Sequence, residues 1–160
     1  MTTQMNNGIM NNVINSFAKT IEMFGLTPME ARLFAYLFIE DEPKTLDEMG
    51  AAIGMSKTSM STNVRRLLDL NLVSRVWRKG VRKDLYQVNA PLYKIFMDAY
   101  QKKWIAAVSH QLSSLENIEN NQSKNDHQLK GQNKASLNEI IDFHKQLEQA
   151  FKKMRKNEVT

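Results

Sequence analysis

Between Thr45 and Val88 the pattern of caps, turns and apolar positions admits few folds. Thr45-Leu46-Asp47-Glu48 is a Thr-x-x-Glu capping box and opens a short helix, Leu46 to Ile53. Gly54 supplies a tight turn. Ser56 caps a second helix, Lys57 to Leu70, and Asn71 suits the left-handed stop after it. Leu72 to Trp77 is β-prone, Lys83 to Val88 is its partner strand, and Gly80 provides the positive backbone angle of a hairpin tip. Short helix, tight turn, longer helix and hairpin make a winged helix-turn-helix. The expected fold class is mainly α with a small β-hairpin wing, joined to a helical dimerisation module.

Charge gathers on this unit. Lys57, Arg65, Arg66, Arg75, Arg78, Lys79, Arg82 and Lys83 stand against Asp69 alone, a net +7 between residues 57 and 83, whereas the whole chain carries +5. Such clustering is the footprint of a phosphate-backbone binder. In the second helix Met60, Val64, Leu67 and Leu68 make an inward stripe. The opposite face holds Lys57, Thr58, Ser59, Ser61, Thr62, Asn63 and Arg66. Hydroxyls and amides near a helix N-terminus bind phosphate, and Asn and Arg reach base edges in the major groove. A merely solvated helix carries Glu and Lys at spacings of four; here no acid appears before Asp69. The expected DNA contacts are Ser56, Lys57, Thr58, Ser59, Ser61, Thr62, Asn63, Arg65 and Arg66, with Arg78, Lys79, Arg82 and Lys83 on a wing that lies along the backbone or dips into the minor groove.

Composition excludes other classes. The 160 residues suffice for one domain with an accessory element, and 42% are apolar. Cysteine is absent, which removes disulfides, thiolate metal sites and a thiol switch. No HExxH motif or paired His/carboxylate arrangement surrounds His110, His127 or His144, and no Gly-rich phosphate loop exists. No metal, cofactor or enzymatic activity is expected. The opening MTTQMNNGIMNNVINSF has no basic region before an apolar block, and no run of about 18 apolar residues occurs. A cytoplasmic protein without a membrane span is expected.

Helices flank the winged unit. Ile9, Val13, Phe17, Ile21 and Phe24 follow helical spacing and Gly25 ends the run. Thr27, Pro28 and Glu30 then cap a helix whose Met29, Leu33, Phe34, Leu37 and Phe38 face inward. A long helix from Pro91 runs to about residue 116. The polar stretch near 117–134 reads as a loop, a loosely held linker or a frayed helix end, and Ala135 to Lys156 reads as a last helix with near-heptad apolar positions. The expected division is 1–25 for an N-terminal dimerisation helix, 26–90 for the DNA-binding domain and 91–160 for a C-terminal dimerisation region. A twofold dimer places two recognition helices in successive major grooves, about 34 Å apart, on a palindromic operator.

Met55-Ser56-Lys57-Thr58-Ser59-Met60-Ser61-Thr62-Asn63, with Arg75-Val76-Trp77 and Gly80-Val81-Arg82-Lys83-Asp84-Leu85-Tyr86, resembles the GbsR family of MarR-like winged-helix repressors. The resemblance runs from about Phe24 to Tyr100 and is most specific at MSKxSxSxN and RVWxxGxRKDxY. It implies a homodimeric repressor of choline uptake and glycine betaine synthesis genes, with choline as inducer or glycine betaine as corepressor. It carries the DNA contacts onto Ser56, Lys57, Ser59, Ser61, Asn63, Arg65, Lys79 and Arg82. Two departures stand out: Thr58 replaces a frequent Gly, and Leu92-Tyr93 holds one aromatic where relatives have two. A quaternary ammonium effector calls for an aromatic cage, for which Phe24, Tyr36, Tyr93, Phe96, Tyr100 and Trp104 are the candidate rings. Tyr93, Phe96, Tyr100 and Trp104 share one helical face, which is also the pattern of a core or dimer seam. The alternatives are a MarR-type regulator of another small aromatic or cationic ligand, and a winged module that binds protein.

Overall fold

A computed structural model describes residues 2–89, 91–122 and 129–156, with side chains from residue 8 onward. The order is α1 (Thr2–Glu22), α2 (Pro28–Glu40), α3 (Leu46–Ile53), α4 (Lys57–Asp69), β1 (Val73–Val76), β2 (Leu85–Val88), α5 (Leu92–Gln122) and α6 (Gln132–Lys156). Two compact units result, Met1–Phe96 and Met97–Thr160.

In the first unit α1 packs against α2, so it shares the winged unit's core. Ala18 and Ile21 are buried, and the Phe17 ring meets Phe34 and Phe38 at 6.3 and 5.6 Å. The capping box of α2 forms as read: the Thr27 hydroxyl accepts the Glu30 N–H at 3.2 Å and the Glu30 carboxylate accepts the Thr27 N–H at 2.9 Å. That of α3 repeats it, with 3.2 Å for Glu48 N–H to Thr45 and 2.7 Å for Thr45 N–H to Glu48. Leu33, Phe34, Leu37, Met49, Met60, Val64, Leu67, Leu72 and Leu85 form the core between these helices and the hairpin. Leu68, expected inward, is only half-buried, and Leu70 takes a core place beside Leu67.

The hairpin is antiparallel, with Val73 opposite Val88 and Val76 opposite Leu85. Its ladder is shorter than expected: Trp77 to Asp84 lie beyond it. One further bridge extends the sheet. Lys44 N–H donates to the Tyr86 carbonyl at 3.0 Å and Tyr86 N–H to the Lys44 carbonyl at 2.9 Å, so the segment before α3 is tied to the wing. Asn89 closes the hairpin base. Its amide nitrogen donates to the Asn71 carbonyl and its oxygen accepts from the Ser74 hydroxyl, both at 2.9 Å.

The second unit pairs the later part of α5 with α6, antiparallel. Trp104 meets Phe151 with ring centroids 5.5 Å apart, Ser109 hydrogen-bonds Glu148, and Lys145 lies 3.8 Å from Glu116. Ile141 is buried on this side of α6, while Ile140, Phe143 and Met154 stay exposed on another. Within the polar stretch near 117–134, α5 takes in the start, to Gln122, and α6 the end, from Gln132, while Leu129 and Lys130 are not helical. The stretch is polar, but up to Gln122 it holds neither Gly nor Pro to oppose the helix. Residues 123–128 of that stretch, and His127 with them, lie outside the described residues.

Gly50 sets the angle between α3 and α4. Its carbonyl accepts the N–H of Gly54 at 2.8 Å and of Met55 at 2.9 Å. A Cβ at position 50 would stand 2.6 Å from the Met55 carbonyl oxygen, a backbone atom that cannot swing aside. Gly50→Ala is therefore expected to lower stability by about 1–3 kcal/mol, the usual cost of overpacking. Urea unfolding measures it; a midpoint equal to the parent protein's would show that the turn is not tight.

Candidate nucleic-acid interface

Ser56 fulfils its role as cap: its hydroxyl accepts the Ser59 N–H at 3.2 Å. From that start α4 turns Lys57, Thr58, Thr62, Arg65 and Arg66 to solvent, with Ser59, Ser61 and Asn63 half-buried. Met60, Val64 and Leu67 hold the opposite side in the core. Two of the expected polar contacts are engaged within their own helix. The Thr62 hydroxyl donates to the Thr58 carbonyl at 3.2 Å, and the Asn63 amide donates to the Ser59 carbonyl at 2.8 Å. Side chains of this type compete for backbone partners, so Asn63 has one amide N–H committed to Ser59, with its second N–H and its oxygen left to meet a base.

The cations fall into two sets. Lys83 lies 2.6 Å and Lys57 3.6 Å from the Asp47 carboxylate, and Arg75 lies 3.8 Å from Asp84 with its guanidinium 5.9 Å above the Tyr86 ring. Arg65, Arg66, Arg78, Lys79 and Arg82 are exposed and, among the described residues, none has a carboxylate within ion-pair distance. These five present an uncompensated positive field, split between α4 and the wing tip. Val81 N–H donates to the Arg78 carbonyl at 3.1 Å and Gly80 takes φ +85°, so the tip is a defined turn.

Asp47 was not among the residues that the sequence singled out. Read locally it is an acid in the first turn of α3, favourable to the helix dipole. Its pairing with Lys83 joins residues 36 apart in the chain, which no local pattern reveals. Lys83 holds the Asp47 carboxyl below its ordinary range, with Lys57 adding to the effect, and Asp47 raises Lys83 in return. Asn89, the clasp of the wing base, was missed for the same reason.

Phe24 and Phe34 pack against Phe96 at 5.2 and 5.0 Å, a core cluster of the first unit. Tyr100 meets Trp104 at 5.9 Å in the second, and the Lys103 ammonium already stands 5.8 Å from the Tyr100 ring centre. Tyr93 is 70% exposed. Tyr36 borders a recess of about 480 Å³ among α1, α2 and α3, with Met10, Ile14, Arg32, Glu40 and Ile53 on its walls. Burial, with Glu40 nearby, raises the Tyr36 phenol above its ordinary value. Among the described residues no group of three or more His, Asp or Glu is placed to hold a metal ion, and no helix is long and apolar enough to cross a membrane.

Residues 24–81 match the family model described as MarR family. The chain is 37% identical over 97 residues to the HTH-type transcriptional repressor OpcR of Bacillus subtilis (strain 168), an alignment covering 61% of this chain and 52% of that one. It is 36% identical over 104 residues to the HTH-type transcriptional repressor GbsR of the same organism, covering 65% and 57%. The chain thus spans little more than half the length of the curated relatives it matches. A crystal structure of a transcriptional regulator, 18% identical, superposes with a TM-score of 0.66 over 91% of this chain and 94% of that one, a likeness of fold.

The Asp47–Lys83 pair has a definite pH window. Its contribution is present above the ordinary Asp range, is lost as pH falls through the lowered Asp47 value, and is lost at high pH as Lys83 deprotonates. In Lys83→Met the Asp47 carboxyl is expected to titrate at higher pH than in the parent, read by carbon-detected NMR. An unmoved midpoint would mean that Lys83 does not sit on Asp47 in solution.

Proposed function

We propose, from the MarR-family domain at residues 24–81, that this chain is a sequence-specific DNA-binding transcriptional repressor and not an enzyme. It works in the cytoplasm as a homodimer on a palindromic operator. The observation that carries this reading is the set of unpaired cations, Arg65 and Arg66 on α4 with Arg78, Lys79 and Arg82 on the wing. A helix that enters the major groove beside a wing that follows the backbone needs cations in both places. Apolar surface at both ends of the chain supports self-association: Ile9 and Val13 on α1, Ile140 and Phe143 on α6, are each 45% exposed or more.

The controlled genes are those of choline uptake and glycine betaine synthesis, with choline as inducer. Support for this finer reading is the likeness to a repressor named GbsR and the MSKxSxSxN and RVWxxGxRKDxY motifs. A second reading is a regulator of another small aromatic or cationic ligand. Either ligand can shift DNA affinity only by preferring one dimer shape to another.

Fluorescence polarisation against duplexes from the protein's own promoter, at fixed salt and with or without choline, tests both. Tight selective binding that millimolar choline loosens is expected. Selective binding indifferent to choline favours the second ligand reading, and absence of selective binding overturns the repressor. Arg82→Ala is expected to weaken binding on all sequences and to lower the salt slope by about one per protomer; an unchanged slope would remove Arg82 from the phosphate contacts.

A further inference from the structure

Trp77 directly follows β1 and is 81% exposed, the most exposed aromatic side chain among the described residues. Tryptophan is on average highly buried, and the same hairpin buries Val73, Leu85 and Tyr86 to 4% exposure or less. The fold therefore has a core beside Trp77 and leaves the indole out of it. The side chain stands at the root of the fixed Arg78–Val81 turn, in the sequence Trp77-Arg78-Lys79-Gly80-Val81-Arg82. Val81 is the other apolar residue of the tip and is 37% exposed. The result is one large flat apolar side chain with three unpaired cations, Arg78, Lys79 and Arg82, following it closely in the chain.

Duplex DNA offers the complement of that arrangement. The minor groove is walled by deoxyribose C–H groups and rimmed by phosphates, and proteins place apolar wedges there between flanking Arg and Lys. An anionic membrane would also meet the charges, but interfacial binding needs a broad apolar face, and the tip offers only Trp77 and a part of Val81. We propose that Trp77 is a DNA-contacting residue. Its indole packs into the minor groove next to the half-site read by α4, while Arg78, Lys79 and Arg82 hold the phosphates on either side. The contact reads groove shape, since an indole in this position has a single N–H and no acceptor with which to distinguish bases. This inference rests on the DNA-binding reading above.

The chain holds two tryptophans, so Trp104→Phe leaves Trp77 as the only reporter. In that variant, saturating duplex is expected to shift and quench the emission and to protect it from iodide. Trp77→Ala is expected to weaken duplex binding roughly five- to twentyfold, within the range for loss of an aromatic contact to nucleic acid, and Trp77→Phe to recover most of it. Because the side chain is exposed, Trp77→Ala should keep the parent's unfolding temperature. Labelled-duplex polarisation runs in parallel. Binding seen there with Trp77 emission and Trp77→Ala affinity both unchanged would overturn the contact and leave the repressor standing. A Trp77 shift with phosphatidylglycerol vesicles but not with duplex would overturn it too. No duplex binding by the parent protein would overturn the repressor reading, and this one with it.

Discussion

The contact on which the interface depends is the one between Gly50 and the turn that follows α3. Two N–H groups converge on one carbonyl, and the Met55 carbonyl comes so close that only a residue without Cβ fits. This fixes where α4 begins and in which direction it leaves. The capped N-terminus of α4, its buried Met60–Val64–Leu67 stripe and its outward cations all follow from that direction. A helix turned by a few tens of degrees would bury hydroxyls and expose methionine.

The wing is placed by long-range polar contacts, since a four-residue ladder alone is marginal in water. Lys44 pairs with Tyr86, Asn89 clasps Asn71 and Ser74, and Asp47 joins Lys83 to the start of α4 through Lys57. Exposed ion pairs are individually weak, so the Asp47 bridge contributes more to orientation than to stability. It also divides the cations: Lys57 and Lys83 have a carboxylate for company, whereas Arg65, Arg66, Arg78, Lys79 and Arg82 remain available to phosphate.

The caps and tight turns were legible in the sequence. Both Thr-x-x-Glu boxes formed, Gly54 and Asn71 took left-handed angles, and α3 began and ended where its caps placed it. What joined distant residues was not legible. Asp47 finds Lys83, Lys44 finds Tyr86, and nothing in the neighbourhood of either announces it. Polarity left a loop, a linker and a frayed helix end open as readings of the stretch after residue 116, and Asn, Gln and Lys without Gly or Pro carry α5 on to Gln122. Spacing places rings on one helical face but does not say which of them packs where: Phe96 meets Phe24 and Phe34, Trp104 meets Tyr100 and Phe151, and Tyr93 is exposed. The exposed cations were easier to name because charge survives on a surface whatever the packing beneath.

The central claim is that α4 and the wing tip form one DNA-reading surface. Amide hydrogen exchange with and without saturating promoter duplex tests it most directly. Slower exchange gathered at residues 56–66 and 77–83, with the α5–α6 pair unchanged apart from any contact between copies, is the expected result. Protection confined to α6, or absent from the wing, would contradict it.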